Sequence, residues 1–250
     1  MWSFIVNIFT LICYQPLLNI LVWTYNIIPG HDIGVVIIII TLLIKILLYL
    51  PSRSTIKVQR AMAELQPKLN EIKVKYKDNK EQQALETMKL YKEHKINPFS
   101  SCLPLLIQLP FLIAIYQVFS LGLSNGSLDL LYPFITNPGQ INSLAFGFLD
   151  MAKPQFILAI LAGAAQFWQT KMMMAKRPEV KTKGSEDEVM AAIMGRQMTV
   201  MMPIMTVVIG WSLPAGLVFY WFLLTIFTGV QQLITLRKKK ELPVEVIDNK

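Results

Sequence analysis

The chain has 250 residues, of which 54% are hydrophobic and only 16% charged, and its formal net charge is +8. Soluble globular domains carry about a quarter charged residues. Here the charges are also segregated from long apolar runs, which excludes an ordinary soluble domain and indicates an all-α polytopic membrane protein. The basic residues flank the apolar runs, so membrane topology accounts for them without any nucleic-acid function.

Residues 1–31 form an N-terminal apolar segment, and residues 1–29 hold no charged side chain. Pro16 is expected to interrupt a helix there, and Asn7, Gln15 and Asn19 break up the apolar run. The preferred reading is a helix on the external membrane surface that leads into the first span; the competing one is a sixth span. Cys13 and Cys102 lie in very different segments and imply no disulfide framework or metal cluster. Ile12 stands before Cys13 where lipid attachment wants a small residue.

The first span is expected at 32–51. Its stretch IGVVIIIITLLIKILLYLPS holds one charge, Lys45. Helical spacing sets Thr41, Lys45, Tyr49 and Ser52 on one face. At ~1.5 Å per residue Lys45 lies ~9 Å from Pro51. A lysine at that depth either snorkels to the inner interface or has polar company.

Residues 53–97 carry eleven Lys or Arg against six Asp or Glu. Met62, Leu65, Leu69, Ile72 and Tyr76 recur at helical spacing, Asp78-Asn79 offers a turn, and Ala84, Leu85, Met88 and Tyr91 supply a second stripe. This predicts a cytoplasmic helical hairpin, with Arg53, Lys57, Arg60, Lys73, Lys75 and Lys77 as its basic contact residues. A second span is expected at 103–122, with a bend at Pro110. The loop that follows is poor in Lys and Arg and belongs outside.

The third span, 155–174, sets Gln166, Gln169 and Thr170 on one face, and Ala162 to Ala165 with Gly163 permit close helix approach. Residues 175–197 form a second basic loop. The fourth span, 198–212, and the fifth, 215–236, are joined by a tight external hairpin at Pro214-Ala215-Gly216. In the fifth span Trp221, Thr225, Thr228 and Gln232 share a face. Residues 237–250 form a short basic cytoplasmic tail. The count is five core spans, N-terminus outside and C-terminus inside.

The polar faces all lie toward the cytoplasmic ends of their spans, which predicts a hydrophilic groove open to cytoplasm and lipid with Lys45 as its positive centre. Nothing indicates an enzyme, a metal or a cofactor: HExxH, GxSxG, P-loop and paired membrane carboxylates are absent, and His31 and His94 fall in different compartments. A small-solute transporter or channel is the alternative, but a lone lysine is a poor proton relay and no paired half-repeats are visible.

The strings QPLLNIL, MAELQPKLNEIKVKY, YKEHKINPFSSCLPLLIQLPFLIAIY, AQFWQTKMM and LPAGLVFYW followed by QQL resemble, together and in order, the YidC/Oxa1/Alb3 family of membrane protein insertases. The match covers roughly 15–236. It implies a groove whose arginine falls at Lys45 here, with further groove residues at Gln169 and Trp221, a surface helix before the first core span, and a hairpin needed for activity. Lysine keeps the charge but not the bidentate fork. The large periplasmic domain of Gram-negative members is not matched. The implied function is insertion and folding of membrane proteins in the bacterial cell membrane, alone or with the Sec translocon. Its partners would be nascent membrane proteins, the translocon, the ribosome and the lipid bilayer.

Overall fold

The computed structural model describes residues 2–97, 103–122, 128–173 and 200–237. The expected second basic loop, Cys102, the start of the fourth span and the tail beyond Arg237 lie outside them.

Helix α1, Trp2–Phe9, passes through a π-helical turn, Thr10–Tyr14, into α2, Gln15–Ile27. Pro16 does not interrupt this run as expected. It occupies the first turn of α2, where its missing N–H matters least, and the wider π-turn precedes it. The unbroken stretch Val6–Ile27 is long and apolar enough to cross a membrane. Along α2, Leu17, Leu18, Leu21, Val22 and Tyr25 enter the core. Its polar edge is covered by the loop after α6. Gln15 and Asn19 donate to the Leu130 carbonyl, each at 3.1 Å, Asn26 donates to the Thr136 carbonyl at 2.7 Å, and the Asn142 amide donates to the Tyr25 hydroxyl at 3.0 Å.

Helix α3, Ile33–Leu47, starts at Asp32, whose Oδ1 accepts from the amides of Gly34 at 2.7 Å and Val35 at 3.2 Å. This is an N-cap that satisfies two donors the helix cannot. The helix stops at Leu47, short of the expected end at Pro51, and α4, Tyr49–Lys75, leaves at 71°. The proline is the physical reason. Continuing the helix would drive its ring against the carbonyl four residues back, that of Leu47, whereas in the first turn of a new helix it is harmless. Lys45 therefore sits about half a turn from the bend, and the straight part of α3 spans only ~22 Å, less than the ~30 Å hydrocarbon layer.

Helix α4 forms a hairpin with α5, Lys80–Glu93, whose first turn is capped by Asn79 on the Gln82 amide at 3.0 Å. Leu65, Leu69 and Leu90 are its buried centre, with Ile72, Tyr91 and Ile96 packed around them. The first stripe faces inward at Leu65, Leu69 and Ile72; Met62 and Tyr76 are outside the cluster. The second does so only at Tyr91; Leu85 and Met88 are exposed, and Leu90 takes the inward position.

Helix α6, Leu103–Gln117, carries Pro110 within it and widens to a π-turn at Val118–Gly122. A short antiparallel hairpin follows, β1 (Leu144–Ala145) with β2 (Leu149–Asp150). Then come α7, Phe156–Met173, α8, Val200–Ser212, and α9, Ala215–Arg237. The β-hairpin touches the starts of two long helices. Ala145 and Phe146 lie against Gly34 of α3, the Phe146 amide donates to Asp32 Oδ2, and the amides of Ala215 and Gly216 donate to the carbonyls of Lys153 at 3.0 Å and Met151 at 2.9 Å. Helices α3 and α9 thus begin at one level and run parallel. Gly163 sets α7 against Val207 and the Pro203 carbonyl of α8, where a Cβ would collide. The core is one apolar cluster drawn from α2, α3, α6, the loop after α6, α7 and α9.

Candidate functional site

The parallel start of α3 and α9 fixes which residues meet lower down. Lys45 is twelve residues beyond Ile33 and Thr228 thirteen beyond Ala215, so both lie ~18–20 Å from the shared level. Lys45 Nζ donates to Thr228 Oγ1 at 2.9 Å. The direction is unambiguous, because the Thr228 hydroxyl spends its own proton on the Leu224 carbonyl at 2.6 Å. One turn further, beyond the bend, Ser52 Oγ donates to Gln231 Oε1 at 2.9 Å and Gln231 Nε2 donates to the Tyr49 carbonyl at 3.1 Å. Both ends of that amide are engaged across the junction of α3 and α4.

Lys45 is half-buried and, among the described residues, belongs to no ion pair. A buried ammonium normally takes a carboxylate or several acceptors. Among the described residues this one has a single hydroxyl. Around it the outer side of the α3 end is apolar and uncovered, with Ile46, Leu47 and Leu50 largely exposed. The arrangement is a positive point at the edge between a polar helix seam and a lipid-facing surface.

The expected groove residues divide into three sets. Thr228 meets Lys45 directly. Thr41, Thr225 and Gln232 share the predicted faces but are sealed: Thr41 donates to the Ile37 carbonyl at 2.6 Å, Thr225 to the Trp221 carbonyl at 2.8 Å, and all three are buried. The Gln232 Oε1 has no partner among the described residues, nor has Thr235 Oγ1. Gln166, Gln169, Thr170 and Trp221 are half-buried and make no side-chain hydrogen bond to a described residue. An open recess of about 450 Å³ lies at the same end of α7 and α9, lined by Met172, Gln232, Leu233, Ile234 and Leu236. Helices α7 and α9 approach closely because Gly229 leaves room for the Trp168 ring.

Sequence reasoning underweighted two contacts. Gln231 is not among the residues of the polar α9 face, yet it is the residue that ties α9 to α4. Gln108 donates to the Tyr220 hydroxyl and links α6 to α9. A glutamine in an apolar run is itself a signal of such a bond, but its partner is over 100 positions away and periodicity does not name it.

On the hairpin, Arg53, Lys57, Lys73, Lys75 and Lys77 are exposed, while Arg60 pairs with Glu64 at 2.9 Å along α4. Lys75 lies over the Tyr76 ring at 5.3 Å.

The family model described as 60Kd inner membrane protein matches residues 23–242. The chain belongs to this family. It is 33% identical over 207 residues to a membrane protein insertase YidC of Fusobacterium nucleatum, covering 83% of this chain and 87% of that one. It is 38% identical over 199 residues to a YidC of Clostridium tetani, covering 77% and 76%, and 35% identical over 208 residues to one of Oceanobacillus iheyensis, covering 80% and 73%. As a member of the 60Kd inner membrane protein family, the chain is an all-α, multi-pass protein of the bacterial cell membrane. The relatives' names give no support to the transporter alternative.

Proposed function

We propose that the protein is a membrane protein insertase, taking nascent membrane proteins as clients, and that Lys45 is the positive point that draws acidic client segments into the polar seam between α3 and α9. The observation that carries this is the Lys45–Thr228 contact: an ammonium held in position by one neutral hydroxyl, with no carboxylate among the described residues to cancel it, beside an uncovered apolar helix end. The bend at Leu48 supports access from the cytoplasm, since it ends α3 about half a turn past Lys45. A client helix would rest against Ile46, Leu47 and Leu50 while its acidic flank enters the seam, and transfer of its apolar surface to lipid drives release. Gln169 and Trp221, half-buried and without internal side-chain partners among the described residues, are the proposed side contacts.

The orientation that goes with this reading has the Lys/Arg-rich hairpin and tail in the cytoplasm and the N-terminus outside. Helix α2 is read as external and peripheral. Irregular backbone from Leu130 to Asn142 follows its polar edge, which suits an interfacial helix better than one at membrane depth. The Sec translocon and the ribosome are proposed partners of the hairpin's basic face.

The test is reconstitution of the purified chain in liposomes with a single-span client bearing an acidic external segment. Insertion without nucleotide is expected, with crosslinks from cysteines at 169 and 221 to a stalled client. Solute flux without insertion would overturn the reading in favour of a channel, and insertion without either crosslink would remove Gln169 and Trp221 from the client path.

A further inference from the structure

The β-hairpin after α6 exposes three large apolar side chains within five residues. Leu144, Phe146 and Phe148 leave 42%, 42% and 78% of their surface uncovered, while Ala145 and Met151 between and after them are fully buried. Exposed apolar clusters of this kind mark an interaction surface. The turn itself is fixed: Phe146 and Gly147 both have positive φ, 53° and 78°, and the Phe148 amide closes on the Ala145 carbonyl at 3.2 Å. Phe148 is therefore presented outward by a defined turn rather than left over at a loose end.

Three observations identify what covers it. The hairpin lies level with the first turns of α3 and α9, through Gly34 and through the amides of Ala215 and Gly216. At the same level, Phe156 opens α7 and Trp211 nearly closes α8, their rings 4.8 Å apart and both outward-facing. Aromatic pairs at helix ends are the usual residents of the membrane–water interface. Finally, the segment is electrically quiet. Asp150 and Lys153 are the only charges between Leu130 and Thr170, and they pair with each other at 3.0 Å.

We propose that the β1–β2 hairpin is an interfacial anchor: Phe148, with Leu144, inserts into the headgroup–acyl boundary of the outer leaflet, continuing the Phe156–Trp211 belt, while Phe146 packs back against Gly34 and Phe219 and holds the turn to α3 and α9. The anchor sets the height of the α3 and α9 starting level in the bilayer. Because the two helices run parallel from that level, it also sets the depth of Lys45, ~18 Å below.

The experiment uses the full chain with Cys13 and Cys102 replaced by serine, carrying a Phe148→Cys or a Gln140→Cys substitution labelled with an environment-sensitive dye, in phosphatidylcholine/phosphatidylglycerol vesicles. Gln140 is exposed on the same loop and normalises for vesicle orientation. The dye at 148 is expected to be quenched by lipids doxylated at carbon 5, with an iodide quenching slope several-fold below that at 140. Iodide quenching equal to that at 140 would overturn the proposal in favour of water. Protection from both quenchers would overturn it in favour of a protein contact, such as a second copy of the chain.

Discussion

Replacing Lys45 tests the central electrostatic argument. If an acidic client side chain comes within ~6 Å of Nζ, the attraction is about 3 kcal/mol at an effective dielectric of ~20 and about 0.7 kcal/mol in bulk water. At ~1.4 kcal/mol per factor of ten, the charge contributes between roughly 3-fold and roughly 100-fold to client engagement. Lys45→Met, which keeps most of the stem, should lower insertion of a client with an acidic external segment by a factor in that interval. Lys45→Glu should lower it further, and a client whose acidic residues are changed to lysine should recover in the Lys45→Glu background. Thr228→Val is the control for position: it removes the hydroxyl that holds Nζ at 2.9 Å but leaves the charge. Its expected cost is about 1.5 kcal/mol of stability, the lower end of what a charged hydrogen bond contributes, because the site is half-open. Initial insertion rates in proteoliposomes give the first readout and thermal unfolding in detergent the second. Wild-type rates for both Lys45 variants with both clients would refute the reasoning.

Ser52→Ala removes the Ser52–Gln231 bond between α4 and α9, worth ~0.5–1.5 kcal/mol, so hydrogen exchange over residues 49–56 should speed up roughly 2–10-fold, read by mass spectrometry, and Gln231→Leu, which also removes the bond to the Tyr49 carbonyl, should speed it up more. Asp32→Ala removes both the α3 cap and the acceptor for Phe146, and a loss of ~1–2 kcal/mol is expected as a lowered Tm, with Asp32→Asn nearer wild type. Gly229→Leu would drive side-chain atoms into Trp168 and should separate α7 from α9, seen as loss of a disulfide crosslink engineered between them. Burial disfavours the charged form of the Asp150 carboxyl, but hydrogen bonds from Lys153, Ser143 and the Ala152 amide outweigh it and hold the group below the ordinary carboxylate range. Its stabilising contribution is then complete above pH ~4 and is lost as pH falls through the lowered value, so Asp150→Asn should flatten the acid side of the Tm profile.

Much of this architecture follows from local pattern. The stripe Leu65, Leu69 and Ile72 reports its inward face, the Asp78-Asn79 turn separates α4 from α5, and Thr228 shares a face with Trp221 and Gln232 because helical spacing requires it. Where reading by pattern fails, the cause is a partner that pattern does not encode. Pro51 marks a boundary in the sequence, but the break falls at the residue whose carbonyl the ring would strike, so α3 is a turn shorter than expected. Thr41 lies on the lysine face yet is sealed by neighbouring helices. Gln15 and Asn19 look like interruptions of an apolar run, and both are anchors for a loop over 100 residues away.

The two ends of the α3–α9 pair are held differently, and this bears on where the protein can move. At the end proposed to lie outside, Asp32 binds three backbone amides, Gly34 and Gly216 bring aromatic rings against helix backbone, and two further amides of α9 are tied to the loop. At the end proposed to face the cytoplasm the pair is joined by Lys45 to Thr228, and beyond the bend α9 is tied to α4 by the two bonds of Gln231. Backbone clamps with close packing open at a higher free energy than a few half-exposed side-chain bonds beside a bend. Separation of α3 from α9 should therefore start at Lys45 and Ser52 and fade toward Asp32. Paired spin labels at inner and outer levels of the two helices would read this directly: a client should broaden the inner distance distribution and leave the outer one unchanged. Equal broadening at both levels would mean that the helices part as rigid rods and that the outer clamp does not act as a pivot.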